Sequence, residues 1–446
     1  MVKAYPKYKD SGTPWIGQVP DTWELVRGKA LFRNPKELNT DYRNKNVLSL
    51  TLRGVVNNNP DNPEGLVPKD YATYQIFRKN DLVFKLIDLE NLRTSRVGLV
   101  HEDGIMSPAY VRLVPQKYIN VKFFFYQFYD LYLRGIYNQL GAGVRATLTP
   151  SDLLNLKLAI ASSEEQEQIV RYLDTQEQII RRYIREKQKI IKLLSEQKQA
   201  IINKAVTRGI DPRVRLKPSG VEWLGDIPEH WEIVPLRWVI TIGSGDFLDA
   251  QDVQEKCNGE SIYPVIGGNG LIGYSYKANS HSKTIVIGRV GALCGNIHLI
   301  EKDAWITDNA LRIHLIKGFT HEYLAEELRA LNLNRLANAN AQPLITGGMI
   351  KAQRVVRPPQ DEQLLILRYV SKATVSLTKA IDSAQNEIDL IKEYHIRLIS
   401  DVVTGKVDVR DIKLQEVEDI SEPESIEEQE ILEDVEDTQE VVNADE

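Results

Sequence analysis

Two runs of 36 residues, Val170–Ala205 and Leu367–Val402, contain neither glycine nor proline. Alternating steps of three and four through the second give Leu367, Val370, Thr374, Leu377, Ile381, Ala384, Ile388, Ile391, His395, Leu398 and Val402, nine of these eleven apolar. The same positions 197 residues earlier are Val170, Leu173, Glu177, Ile180, Ile184, Lys187, Ile191, Leu194, Lys198, Ile201 and Ala205, eight of them apolar. An apolar residue every 3.5 positions, with polar residues on the other faces, describes a helix with one seam to bury. Each run predicts a helix about 54 Å long. Tandem repeats that pair like surfaces do so about a two-fold axis. The seams therefore predict an antiparallel coiled coil within the chain and an internal pseudo-two-fold repeat. Packing as ordinary bundle helices, or against another subunit, stands as the alternative.

The duplication reaches beyond the helices. "SGTPWIGQVPDTWELV" (Ser11–Val26) returns as "SGVEWLGDIPEHWEIV" (Ser219–Val234), with eight of sixteen positions identical. "LTPSDLLNLKLAIASSEEQEQIVRYL" from Leu148 is echoed by "ITGGMIKAQRVVRPPQDEQLLILRYV" from Ile345, aligning Thr149 with Thr346 and Glu165 with Glu362. The openings are 208 residues apart and the endings 197, so the second middle is eleven residues shorter. Five segments follow: a lobe at 1–160, a long helix at 161–208, a lobe at 209–358, a long helix at 359–406 and a tail at 407–446. Trp15, Trp23, Trp223 and Trp231 of the openings are read as a packing collar that seats each lobe on the helices.

Between opening and ending, both middles read as mixed α/β. Short β-rich runs ("DLVFKL", "AYVRLV"; "TIVIGRVGALCGNIHLI", "ALRIHLI") alternate with Gly, Asn and Pro clusters, and a helical run follows. The fold class is α+β: two mixed lobes joined by two long helices. The shared order with unlike sequences suits one scaffold carrying two binding faces. Basic and amide residues beside glycine turns are the candidate contacts, because glycine lets a backbone approach a phosphate and Arg, Lys, Asn and Gln match base edges. They are Arg53, Lys85, Arg93, Arg96 and Arg145 in the first middle, and Asn269, Lys277, Arg289, Asn309 and Gln342 in the second.

The net charge of −6 averages over the tail. From Gln415 to Glu446 there are fifteen Asp/Glu and no Lys/Arg, so residues 1–414 hold 56 basic and 47 acidic side chains, a balance of +9. That body suits a polyanionic partner. The tail reads as disordered, since its charges repel and little in it can be buried. No apolar run approaches a membrane span, and two cysteines, Cys257 and Cys294, are too few for a disulfide framework. A cytoplasmic location is expected.

Catalytic vocabulary is sparse. Gly268–Gly273 fits GxGxxG but precedes "YSYKAN", not a helix. There is no GxxxxGK[ST] loop, no HExxH and no Gly-x-Ser-x-Gly elbow. Nor is there an NPPY-type tetrapeptide of the amino-methyltransferases. Binding without catalysis, and without metal or cofactor, is expected.

The opening at Ser219–Arg237, and more loosely Ser11–Arg27, resembles that of the specificity (S) subunits of bacterial type I restriction–modification systems. So do "YPVIGGNGLIGY", "TIVIGRVGALCGNI", "WITDNAL" and "GIMSPAYVRLVP", and the resemblance covers roughly residues 1–410. It implies that each middle is a target recognition domain reading half of a bipartite, asymmetric site in double-stranded DNA, and that the helices fix the unread spacer. It implies as partners two adenine methyltransferase (M) subunits using S-adenosylmethionine and motor-nuclease (R) subunits using ATP with Mg. No catalytic residue and no cofactor is then expected in this chain. A two-lobed adaptor binding protein or glycan, and an enzyme of unrecognised type, remain open.

Overall fold

The computed structural model describes residues 3–58, 70–87, 89, 95–116, 118–141, 147–291, 293–337 and 343–414. The acidic tail from 415 lies outside the described residues. The chain forms two compact units: one from Met1–Glu186 together with the chain from Glu387, the other from Lys187–Asn386. Each unit takes part of both long helices, so the units cut across the five linear segments anticipated above.

Those helices run Ser163–Arg208, 46 residues, and Gln360–Val403, 44 residues. They outlast the 36-residue seams because their ends are capped. Ser162 Oγ accepts the N–H of Glu165 at 3.3 Å. Acidic first turns, Glu164–Glu165 and Asp361–Glu362, oppose the positive end of each helix dipole. Gly209 and Gly405 end the helices with φ +73° each, the left-handed C-terminal cap that favours glycine.

All eleven seam positions of each helix are buried or half-buried. In the first unit Val170 and Leu173 share a core with Leu398 and Val402. In the second, Ile202 and Val206 share one with Ile366 and Val370. Within each unit, the start of one helix shares a core with the end of the other. Thr374, polar on the seam, is satisfied by donating its hydroxyl to the Val370 carbonyl at 2.8 Å.

Each unit carries a four-stranded antiparallel sheet. In the first the spatial order is Phe32–Arg33, Val111–Pro115, Leu82–Phe84, Val97–Leu99; in the second it is Ile240–Ser244, Ala310–Leu315, Thr284–Gly288, Ile297–Ile300. Both orders are the same in chain terms: first, last, second, third. A helix follows the last strand each time. Val121–Leu133, capped by Asn120, buries Phe123, Phe124, Tyr126 and Phe128; His321–Leu331, capped by Thr320, buries Tyr323, Leu324 and Leu328. The aligned Thr149 and Thr346 are both N-caps of the next short helix. A final strand then returns to the opening: Lys157–Ile160 pairs with Glu24–Arg27, and Arg354–Arg357 with Glu232–Pro235.

The repeated openings form hairpins, Tyr8–Asp10 with Gln18–Pro20 and Leu216–Pro218 with Asp226–Pro228. Trp23 and Trp231 are fully buried beneath them, while Trp15 and Trp223 are half-buried. Trp23 lies in one core with Val170 and Val402, and Trp231 in another with Val206 and Ile366.

Candidate nucleic-acid interface

Three turns, two of them bearing glycine, meet in the second unit. Strands Tyr263–Gly267 and Gly270–Ser275 are joined by the two-residue turn Gly268–Asn269. The second turn follows strand Thr284–Gly288, and the third is Thr307–Asn309. Arg289 donates its backbone N–H to the Asn309 carbonyl at 3.0 Å and accepts from Ile345 N–H at 2.9 Å. Close backbone approach explains the glycines. A Cβ on Gly288 would stand 2.4 Å from the Gly268 carbonyl oxygen, and one on Gly268 would stand 3.0 Å from that of Asn309. Asn269, Arg289 and Asn309, spread over forty residues of sequence, are thereby gathered at one end of the lobe, with Asn269 and Asn309 exposed. The GxGxxG match belongs to this hairpin. It does not open a helix.

The other candidates fare differently. The ammonium of Lys277, an expected DNA contact, is held by Asp252 at 2.8 Å and lies 5.1 and 5.2 Å from the Tyr276 and Trp305 ring centroids. The hydrogen bond to Asp252 pushes its pKa up. Arg53 is exposed on the turn between Leu48–Thr51 and Gly54–Asn57. Lys85 is half-buried, its backbone N–H bonded to the Arg96 carbonyl at 3.1 Å. Arg96 itself is only 1% exposed, so the expectation that it faces DNA is corrected: its side chain is enclosed within the lobe. Arg93, Arg145 and Gln342 lie outside the described residues.

Sequence reasoning passed over Asn296 and His298. Asn296 Nδ2 donates to Asn269 Oδ1 at 3.3 Å. The His298 ring lies against Gly270, whose Cβ, if present, would be 3.3 Å from the imidazole. Burial pulls the His298 pKa down, which favours the neutral ring. Only strand pairing brings residues 296 and 298 to the turn, and no local motif announces it. Also unforeseen was a depression of about 710 Å³ near the second collar, where Lys217, Lys317 and Arg357 surround the exposed Trp238. Among the described residues no three His, Cys, Asp or Glu side chains are grouped to hold a metal ion. No helix there is long and apolar enough to cross a membrane.

The model of the type I restriction modification DNA specificity domain matches residues 20–193 and 228–389. The specificity subunit of the type I restriction enzyme EcoprrI of Escherichia coli is 28% identical over 134 residues, 30% of this chain and 33% of that subunit. The chain thus aligns with about a third of that relative's length. The MjaVIII specificity subunit of Methanocaldococcus jannaschii is 22% identical over 381 residues, covering 76% of this chain and 81% of that one. A chain from a structure of complex assembly and conformational transition of the type I R-M system superposes with a TM-score of 0.57 at 14% identity, covering 86% of this chain and 98% of that one. At that identity the superposition speaks for the fold alone.

Proposed function

This chain belongs to the type I restriction modification DNA specificity family, and on that premise we propose that it selects the DNA site for a multisubunit enzyme whose chemistry resides in other chains. Each lobe reads one block of a bipartite, asymmetric site in double-stranded DNA. The two lobes are an internal repeat, and the long helices, paired as a coiled coil, set the unread spacer between the blocks. The observation that carries the reading is the common sheet order of the two lobes with different side chains on their turns: one scaffold, two recognition surfaces. Unlike halves call for a non-palindromic site, since identical halves would read a palindrome.

Adenine methyltransferase subunits supply S-adenosylmethionine chemistry, and a motor-nuclease subunit supplies ATP- and Mg-dependent cleavage, in the cytoplasm. Two M subunits fit the two lobes. The long helices offer them apolar side chains on their outer faces: Leu193 is 57% exposed and Leu390 65%, more than a solvated helix face needs. Methylome sequencing of a host that expresses this chain with its methyltransferase tests the reading. Two short unlike blocks separated by a fixed unread spacer are expected. A palindrome or a single block overturns it.

A further inference from the structure

The turn Gly268–Asn269 is the tip of a two-stranded antiparallel ribbon, with Gly267 paired to Gly270 across it. B-DNA's major groove admits such a ribbon. Asn269 is the only side chain on the tip, because Gly267, Gly268 and Gly270 surround it. Gly270 has φ +111°, which favours glycine, and the His298 imidazole supports it from beneath. The tip is therefore slim, buttressed and armed with one amide.

That amide is also oriented. Asn269 Oδ1 accepts from Asn296 Nδ2 at 3.3 Å, the only hydrogen bond of its side chain among the described residues. One oxygen lone pair and both amide hydrogens remain for a ligand. An asparagine with one acceptor site and one donor presented outward matches the N6 amino group and N7 of adenine. Leu271, the next side chain along the ribbon, is 51% exposed. An exposed apolar group beside such an amide suits the methyl group of thymine.

Resting on the family reading above, we infer that Asn269, oriented by Asn296, reads the adenine of an A·T pair in the block recognised by the second lobe. Asn296 is a positioning residue in this scheme and does not touch the base.

The test is methylome sequencing with the wild-type chain, Asn269→Ala and Asn296→Ala. The wild type should specify an A·T pair, other than the methylated one, in one block. Asn269→Ala should make that position alone degenerate, lowering the preference for adenine about tenfold or more, with the other block and the spacer intact. Asn296→Ala should relax the same position more weakly. An unchanged motif in Asn269→Ala, or degeneracy spread over both blocks, overturns the assignment. A second measurement separates contact from fold: placing 7-deazaadenine at that position should weaken binding by the wild type and leave binding by Asn269→Ala unmoved. Equal losses in both proteins overturn it. Absence of any bipartite motif in the wild type would count against the family reading instead, so the two failures are distinguishable.

Discussion

Trp23 donates its indole N–H to a carboxylate oxygen of Glu165 at 3.0 Å, across 142 residues of sequence. The repeat places Trp231 and Glu362 in the matching positions of the second unit, yet there Glu362 meets His230 at 2.8 Å. The Trp231 indole N–H has no hydrogen-bond partner among the described residues. Both indoles are fully buried, so Trp→Phe leaves a similar void at each. The difference isolates the hydrogen bond: Trp23→Phe should cost about 1–3 kcal/mol more than Trp231→Phe. Urea unfolding of the two variants checks this, and equal losses would show that the Glu165 bond contributes nothing net.

The glycines that end the long helices are not equivalent either. Alanine at either site meets the left-handed backbone, at about 1–2 kcal/mol. A Cβ on Gly405 would also fall 2.3 Å from Pro20 Cδ, whereas one on Gly209 would lie 3.3 Å from the Trp231 ring. Gly405→Ala should therefore lower the melting temperature further than Gly209→Ala. The reverse order would mean that the Pro20 hairpin yields more readily than the indole.

Glu327 is completely buried and accepts the backbone N–H of Val356. Burial holds its pKa well above the ordinary 4.5, so the folded state prefers the neutral acid. Its contribution is full below the unfolded carboxylate value and is lost as pH rises through the folded one. Glu327→Gln keeps an oxygen for Val356 and cannot ionise. Relative to the wild type the variant should gain stability steadily as pH rises from about 4.5. Urea midpoints across pH would show this, and parallel curves would refute it.

Arg53 and Arg96 look alike in sequence and should behave oppositely. Arg53 is exposed on its hairpin. If it contacts a phosphate, Arg53→Ala should reduce the slope of log affinity against log salt by about 0.9 without moving stability. Arg96, 1% exposed, should instead destabilise the protein by about 2–5 kcal/mol on replacement by alanine, as large-to-small core changes do. Its salt slope should stay that of the wild type.

The heptad spacing exposed the seams because a helix repeats its burial at constant intervals. The lobes were legible only as mixed α/β, since the sheet order depends on pairings between distant strands. In the second lobe the glycine turns led to residues that the fold brings together: Asn269, Arg289 and Asn309 converge there. What stayed hidden shares one cause. Lys277 is paired with Asp252, 25 residues away, and Arg96 is enclosed by the lobe's own core. Neither a partner nor an enclosure is visible in the few residues flanking a basic side chain. At the helix ends, "AVTRGID" (Ala205–Asp211) and "VVTGKVD" (Val402–Asp408) align at the same offset of 197, yet the terminating glycine is 209 in one copy and 405 in the other, a shift of one residue.

The division of both long helices between the units bears on how the protein is made. A ribosome delivers the lobe of residues 1–160 first, yet its core also needs Leu398, Ile399, Val402, Val403 and Val409. The unit built from Lys187–Asn386 has all its residues earlier. At about 5–20 residues per second, the wait for those last apolar side chains after residue 186 is on the order of 10–40 s. The lobe synthesised first is thus the last to close, and its unfinished core is the face a holding chaperone would meet. A frameshift late in the second long helix would leave the second lobe's residues complete and strip the floor from the first.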